Sequence, residues 1–238
     1  MTLLIQKYQY KNLTRDESSG KRLYATPDGH RVPSVTTILD RTKPEEAKQA
    51  LKEWRNRIGH AQAQAITTEA AARGTRMHTF LERYIKGEGI KDTVSNPYAQ
   101  QSLVMAKKVI EEGFGDISEI WGNEVPLYYP EMYAGTTDCV GIHDGEASIL
   151  DFKQTNKPKK VEWIEDYYLQ ITAYALAHNA VYGTDIRKGV IMMCVRPPET
   201  SPGQWGEPVY QQFILESKDF DYWSHRWFDR VEQYYESL

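Results

Sequence analysis

The sequence predicts an α/β fold in which a mixed β-sheet is flanked by helices. Residues 44–113 are rich in Ala, Glu, Lys and Gln, which favour helices, and the second half holds strand-like segments followed by further helices. Helices that come before and after the strands in the sequence can cover both faces of a sheet. At about 100–200 residues per domain, we expect the 238 residues to form one domain. Its predicted parts are an N-terminal hairpin and short helix (1–43), a helical region (44–118) and a mixed-sheet core (119–238).

The N-terminal part contains a hairpin signal. Lys21–Thr26 and His30–Val32 flank the turn-favouring tripeptide Pro27-Asp28-Gly29. Ser34 then precedes a short apolar helix, Val35–Leu39, and a serine hydroxyl is a preferred N-terminal cap. We therefore expect a small hairpin followed by a capped helix.

Glycine and proline divide the rest of the chain. The helical region is expected to be interrupted at Gly59, Gly74, Gly87 to Gly89 and Pro97, because these residues disfavour helix interiors. The later elements alternate between strands and helices. The predicted strands are Glu124–Tyr129, Tyr133–His143, Glu146–Lys153, Gly189–Val195 and Val209–Leu215, and the predicted helices are 161–182 and a last helix from about Ser217.

Composition and charge exclude several classes of function. With 29 Lys and Arg against 33 Asp and Glu, the net charge of −4 excludes nucleic-acid binding by bulk basicity, so any such contact must be local. Two cysteines are too few for an iron–sulfur cluster or a cysteine-rich zinc site. The longest apolar run, Val190–Val195, is far below the ~18 residues that span a bilayer. Since Asp16 and Glu17 come too early for an acid-poor transit peptide, we expect a soluble, cytoplasmic protein with no membrane partner.

The segment Gly135–Lys153 carries the chemistry. Asp144-Gly145 is a strong signal for a two-residue turn, and a hairpin closed there pairs residues whose numbers sum to 289. In that register Asp138 faces Asp151, and the period of two places Lys153 on the same face of the sheet. Two carboxylates and an ammonium group are thus expected at one end of the hairpin.

The facing aspartates predict a metal site. Two anions about 4–5 Å apart repel by roughly 3–4 kcal/mol at an effective dielectric of 20. A divalent cation between the carboxylates would offset that repulsion, and oxygen ligands favour Mg²⁺ or Mn²⁺. The backbone carbonyl of Phe152 is a further candidate ligand, and Lys153 is a candidate contact to a phosphate oxygen or the attacking water. The alternative is that Asp138 is a turn acid and that Asp151 and Lys153 form a surface pair.

Two helical pairs are candidates for the same site. Gln170 and Tyr174 are four residues apart and share a helix face, where they either support the site or belong to an ordinary amphipathic helix. His78 and Glu82 have the same spacing. They either form a helix-surface pair or, if they face the hairpin acids, make His78 a third metal ligand that shifts the preference toward Mn²⁺.

A lysine run follows the hairpin. Lys157, Lys159 and Lys160 come just after Lys153. Such a run is usually a solvated loop. Beside a metal site it would supply the local positive patch that a net charge of −4 otherwise lacks.

Four motifs taken together resemble the PD-(D/E)XK nuclease superfamily, in its RecB-like branch. They have the order and spacing of that family and are Gly74–His78, Gly135–Asp138, Asp151–Lys153 and Gln170–Tyr174. Further segments resemble the mitochondrial genome maintenance exonuclease group and its bacteriophage relatives, and these are Pro33–Leu39, Asp151–Lys159 and Tyr222–Trp227. The resemblance runs from about Lys21 to the C-terminus.

The resemblance implies a restriction-endonuclease-like fold with a helical arch over the site. It also implies a metal-dependent nuclease that cuts single-stranded DNA from a free end and works with replication or recombination proteins. The roles implied by motif position are metal binding for Asp138, Asp151 and His78 and catalysis for Lys153. Gln170 and Tyr174 form the last of the family's motifs.

Other positions stay open or depart from the family. Ser34 either contacts a DNA phosphate or is a plain helix cap, and Glu124 either supports the site or is a solvated edge acid. Relatives often carry Thr after the catalytic lysine, whereas this chain has Gln154, a departure that affects phosphate contacts there but not the metal site. The organellar leader of the eukaryotic relatives is not seen, so we expect the cytoplasm of a bacterium or phage-infected host.

Three hypotheses of function follow. The first is a DNA exonuclease. The second is an endonuclease of the same superfamily, which circular single strands would distinguish. The third is a non-catalytic nucleic-acid-binding or replisome-binding module, against which the intact set of Asp138, Asp151 and Lys153 argues.

Overall fold

The computed structural model describes residues 4–16 and 23–238, and this part of the chain forms six α-helices and three β-sheets. The helices are α1 (Val35–Arg41), α2 (Glu45–Ile58), α3 (His60–Ile85), α4 (Pro97–Gly113), α5 (Glu165–Tyr182) and α6 (Phe220–Glu236). Among the helices of the described chain, none combines the length and the apolar character that crossing a bilayer requires.

The central sheet has five strands and mixes parallel with antiparallel pairing. The strands of the described chain are β1 (Thr14–Asp16), β2 (Leu23–Ala25), β3 (Arg31–Pro33), β4 (Ile117–Tyr129), β5 (Tyr133–His143), β6 (Glu146–Thr155), β7 (Lys188–Val195), β8 (Glu199–Ser201), β9 (Gln204–Trp205) and β10 (Val209–Leu215). The order in the central sheet is β10-β7-β6-β5-β4. β6 and β7 run parallel and are joined through α5, whereas the other neighbours are antiparallel.

Two hydrophobic layers cover the two faces of this sheet. α3 and α4 pack on one face, where Leu150 and Met192 are buried among their side chains. α5 packs on the other face, over Val140 and Ile149, and α1 and α6 pack against α5. The predicted α/β fold, a mixed sheet between helices, is confirmed.

The N-terminal hairpin is confirmed over its described part. β2 pairs antiparallel with β3, while Lys21 and Arg22, which were predicted to begin the first strand, lie outside the described residues. The predicted cap of α1 is also present, because the N–H of Thr37 donates to the hydroxyl oxygen of Ser34 at 3.0 Å.

The predicted interruption at Gly74 is wrong. α3 runs through Gly74 without a break, although the predicted boundaries at Gly59 and at Gly87 to Gly89 are confirmed. A Cβ atom at Gly74 would lie 3.4 Å from Cγ of Gln154 on β6. This is an ordinary contact distance, so the packing does not require glycine. The burial of Met77, Leu81 and Ile85 of α3 against the sheet offsets a helix-propensity cost of about 1 kcal/mol.

Candidate metal centre

The β5–β6 hairpin has the predicted register. Its turn residues, Asp144 and Gly145, have φ of 49° and 76°, the left-handed values that a two-residue type I′ turn requires. The pairs run from His143–Glu146 to Cys139–Leu150, so the predicted sum of 289 holds along the ladder. This pairing ends one residue before the two aspartates.

Asp138 is held by two neighbours. Its Oδ1 lies 3.2 Å from Nδ1 of His78 on α3, and its Oδ2 accepts a 2.6 Å hydrogen bond from the N–H of Phe152. Burial opposes ionisation of Asp138, but the charge and hydrogen bond of His78, with Lys153 and the Phe152 N–H, outweigh burial and lower its pKa. In return, Asp138 outweighs the burial of His78 and raises the pKa of the imidazole to about 9. The imidazole must therefore lose a proton before its Nδ1 can bind a cation.

Asp151 and Lys153 form a second pair beside the first. Nζ of Lys153 lies 2.5 Å from Oδ2 of Asp151 and 5.2 Å from the centre of the Tyr167 ring. Burial raises the pKa of Asp151 against the opposing charge of Lys153, and the charge of Asp138 adds to the rise. The repulsion between aspartates that the sequence predicts is thus partly offset by Lys153 and His78.

Glu124 completes a group of three donors. Ligand atoms of His78, Glu124 and Asp138 all lie within 4.8 Å of one another. In the β4–β5 ladder, the pairs Asn123–Cys139 and Val125–Thr137 leave Glu124 opposite Asp138. Glu124 has a φ of 53°, in the left-handed region that residues other than glycine rarely adopt, and such strain concentrates at functional sites.

The environment of Glu124 disfavours its charge. Partial burial, followed by the charges of Asp138 and Glu82, raises the pKa of Glu124 to about 7. The sequence left Glu124 undecided between the site and the solvent. The signal that could have decided is the β4–β5 register, which places this carboxylate opposite Asp138 just as the β5–β6 register places Asp151.

The donor set suits a hard divalent cation. Carboxylate-rich groups favour Mg²⁺ or Mn²⁺, and an imidazole among them is more typical of Mn²⁺. Asp151 lies outside the group of three, so its share in the same ion stays a prediction. The N–H of Phe152 points to Asp138. Because the N–H and C=O of a strand residue point to the same side, the Phe152 carbonyl also faces β5, and its role as a ligand stays a prediction.

Arg73 fixes α3 to the sheet, and sequence reasoning missed it. The residue is fully buried. Its Nε donates to Oε1 of Gln154 at 2.8 Å, and its terminal nitrogens contact Glu69 and Asn156. Gln154 in turn donates to a backbone carbonyl of α3 at 2.9 Å. Gln154, the residue that departs from the family pattern, therefore anchors α3 to β6. The anchored residue of α3 is Arg73, five positions before His78.

Gln170 and Tyr174 meet, as their shared helix face predicts. Nε2 of Gln170 donates to the Tyr174 hydroxyl at 3.3 Å. The Tyr174 ring is buried against Gly135, where a Cβ atom would come within 2.9 Å of its Cε1. This contact explains the glycine that opens the Gly135–Asp138 motif.

The predicted substrate contacts fall into two groups. Ser34 is 3% exposed and its hydroxyl oxygen accepts from the N–H of Thr37 at the cap of α1, whereas its contact with a DNA phosphate stays a prediction. Lys157 and Lys160 are exposed on the loop between β6 and α5. The backbone of Lys159 in that loop is bound by Gln211 of β10 at 2.8 and 2.9 Å. The loop is therefore fixed to the sheet with two lysines open to solvent.

The chain matches known proteins of one kind, although no protein-family model matches it. It is 27% identical over 213 residues to the mitochondrial genome maintenance exonuclease 1 of Mus musculus, covering 86% of this chain and 59% of that protein. The proteins of the same name from Homo sapiens and Xenopus tropicalis are 25% and 26% identical, covering 86% and 85% of this chain and 58% and 57% of theirs. The chain thus spans less than two thirds of the length of these relatives.

A protein from Eubacterium rectale superposes with a TM-score of 0.46 and 11% identity, covering 71% of this chain and 68% of that chain.

Proposed function

We propose that this chain, a relative of the mitochondrial genome maintenance exonucleases, is a metal-dependent exonuclease that hydrolyses single-stranded DNA from a free end. One observation carries the proposal: the donor group of His78, Glu124 and Asp138 lies beside the Asp151–Lys153 ion pair. Exonuclease activity is what the names of the relatives state. Single-strand specificity, free-end action and a role in DNA replication, recombination or repair follow from the family resemblance.

The residues would hold a divalent cation, Mg²⁺ or Mn²⁺. His78, Glu124 and Asp138 offer the first donors, and Asp151 and the Phe152 carbonyl are the further ligands we propose. When bound, such a cation supplies Lewis-acid stabilisation of phosphate charge and lowers the pKa of water.

Lys153 supplies a fixed positive charge. Burial disfavours its ammonium, but Asp151 and Asp138 outweigh burial and raise its pKa, so the group stays protonated at neutral pH. A buried, oriented ammonium stabilises charge that develops on a phosphate more than a solvated one does. Gln170 and Tyr174, which hydrogen-bond to each other, support the site from α5, where Tyr174 packs against Gly135 of β5.

The loop lysines would bind the substrate backbone. Lys157, Lys159 and Lys160 follow the catalytic strand on a loop attached to β10. Because such contacts release counterions, DNA binding should weaken as salt rises. The bacterial or phage-infected cytoplasm stays a prediction, since the relatives are named as mitochondrial proteins.

The test compares end-labelled linear and circular single-stranded DNA of one sequence. We expect the linear strand to be degraded with Mg²⁺ or Mn²⁺ and the circle to resist, with no reaction in EDTA. Lys153→Ala should lower the rate at least about 100-fold. Lys218→Ala is the matched control, because this exposed lysine follows β10 near the turn end of the hairpin.

The other hypotheses are outcomes of the same test. Rapid nicking of the circle would replace the exonuclease with an endonuclease. Metal-independent DNA binding without turnover would favour the non-catalytic module. Full activity of Lys153→Ala in EDTA would remove the nuclease mechanism proposed for these residues.

A further inference from the structure

A cavity of about 300 Å³ lies between the N-terminal segment and the edge of the central sheet. Leu4, Gln6, Tyr10 and Asn12 form one wall, residues 121–126 of β4 form the other, and Lys86 also lines the cavity. The N-terminal wall is attached to β4, because the N–H of Ile5 donates to the carbonyl of Ile120 at 2.7 Å. The cavity is therefore bounded by specific contacts.

Gly122 shapes the cavity. A Cβ atom at this position would lie 2.4 Å from Cε2 of Tyr10, so glycine is what allows the Tyr10 ring to lie against β4. The Tyr10 hydroxyl shares a 3.2 Å hydrogen bond with Nε2 of the buried His178. The Tyr10 ring is thus positioned both by its hydrogen bond to His178 and by its packing against β4.

The cavity adjoins the candidate metal centre. Glu124 lines the cavity and also belongs to the donor group with His78 and Asp138. Lys86 lies at the same junction, where its Nζ is 3.8 Å from a carboxylate oxygen of Glu82. A molecule in the cavity would therefore lie next to a phosphate held at the metal centre.

The lining combines the groups that bind a nucleoside. Tyr10 and Pro126 provide partly exposed apolar surface, and Asn12 and Asn123 provide amides. Nδ2 of Asn123 is buried and has no hydrogen-bond partner in the described chain, and a base carbonyl would satisfy this donor. The volume is at the lower end of the range of about 300–1,000 Å³ for ligand pockets. It suits one nucleoside rather than a longer stretch of strand.

We propose that this cavity receives the nucleoside at the free end of the DNA strand. The base lies against Tyr10 and the two asparagines, and Lys86 meets a phosphate oxygen. The inference rests on the proposed function and adds to it the place of the nucleotide that hydrolysis releases. The released deoxynucleoside monophosphate should then bind the cavity even without a metal.

The test measures binding of dTMP, thymidine and inorganic phosphate by calorimetry in EDTA, where hydrolysis does not interfere. Asn12→Phe places a ring in the cavity and should weaken dTMP binding at least tenfold. Lys11→Phe is its control, because Lys11 is exposed, adjacent and outside the lining. Lys86→Met should reduce the affinity for dTMP to that for thymidine, whereas Lys91→Met, at an exposed lysine outside the lining, should not.

The outcomes separate this inference from the proposed function. Binding of dTMP that depends on Asn12 and Lys86 supports the cavity site even if the chain degrades no DNA. Equal binding in Asn12→Phe and Lys11→Phe, equal binding of inorganic phosphate and dTMP, or no binding at millimolar dTMP would overturn the cavity site. DNA hydrolysis in the presence of any of these results leaves the nuclease proposal intact.

Discussion

Two of the regions that contribute residues to the candidate site, the β5–β6 hairpin and helix α3, are positioned in different ways. The β5–β6 hairpin carries Asp138, Asp151 and Lys153, whose relative positions follow from one tight turn and the register it sets. Helix α3 carries His78, and its approach to Asp138 depends on the contact between Arg73 and a residue 81 positions away. The hairpin region is fixed locally, whereas the helix region is fixed by long-range packing.

This difference decides how each region should respond to change. A substitution in the hairpin removes a reacting group from a backbone that stays in place. A substitution under α3 leaves every reacting group present but changes their alignment. The two regions should therefore be separable by comparing the rate, the metal requirement and the free energy of unfolding.

The largest effect is expected in the hairpin region. Asp151→Asn removes a proposed metal ligand and should lower DNA hydrolysis about 1,000-fold. It also leaves Lys153 partly buried without its counter-charge, which should cost about 3 kcal/mol in the free energy of unfolding. Initial rates on labelled single strands and urea unfolding measure the two effects.

A double variant separates chemistry from folding. Asp151→Asn combined with Lys153→Met removes the unpaired ammonium and should recover most of the lost stability, because both charges are gone. Its activity should stay as low as that of Asp151→Asn. Recovery of hydrolysis together with stability would mean that the hairpin contributes folding rather than chemistry.

A smaller effect is expected in the helix region. Arg73→Met removes the anchor without touching a donor, and loss of such a supporting contact typically costs 10–100-fold in metal affinity or activity. We expect the Mg²⁺ concentration for half-maximal rate to rise by about that factor. Arg83→Met is the matched control, because Arg83 lies on the same helix with a side chain 54% exposed.

The partner of Arg73 sharpens this prediction. Because the two side chains hydrogen-bond, the effects of Arg73→Met and Gln154→Leu should be non-additive by about 0.5–3 kcal/mol. A merely structural role would lower the free energy of unfolding and leave the Mg²⁺ requirement unchanged. Additive effects, or an unchanged Mg²⁺ requirement, would contradict the anchoring role.

The same contrast explains how much of the site could be predicted from the sequence. The turn signal of Asp144-Gly145 is local, so the hairpin register could be inferred from it, whereas the hydrogen bond from Phe152 to Asp138 could not. The continuity of α3 through Gly74 could not be inferred, because helix propensity is local whereas the packing of Met77 and Leu81 against the sheet is not. Family resemblance supplied His78, but the packing that brings it to the hairpin is visible only in the fold.

Glu124 shows a second reason why part of the site could not be predicted from the sequence. Its place opposite Asp138 follows from a strand register that the sequence allows but does not mark with a two-residue turn. Its left-handed φ is unfavourable for glutamate, so no local preference signals it. Residues of this kind are recognised only when the neighbouring strands are already in place.

The smallest expected effects come from one substitution made in both regions. At Gly135 of the hairpin, a new Cβ atom would lie 2.9 Å from Cε1 of the buried Tyr174, so Gly135→Ala should destabilise the protein by about 1–3 kcal/mol. At Gly74 of α3, the nearest atom would be Cγ of Gln154 at 3.4 Å, an ordinary contact. Alanine is favoured over glycine in a helix, so Gly74→Ala should stabilise by about 0.5–1 kcal/mol.

Because Gly135→Ala should lower the free energy of unfolding and Gly74→Ala should raise it, these two variants compare the two regions directly. Urea unfolding at an unchanged m value would report both effects on one scale. If Gly74→Ala destabilised as much as Gly135→Ala, α3 would be held against β6 as tightly as β5 is held against α5. Arg73 would then be one contact among many, and the larger Mg²⁺ requirement expected of Arg73→Met would lose its physical basis.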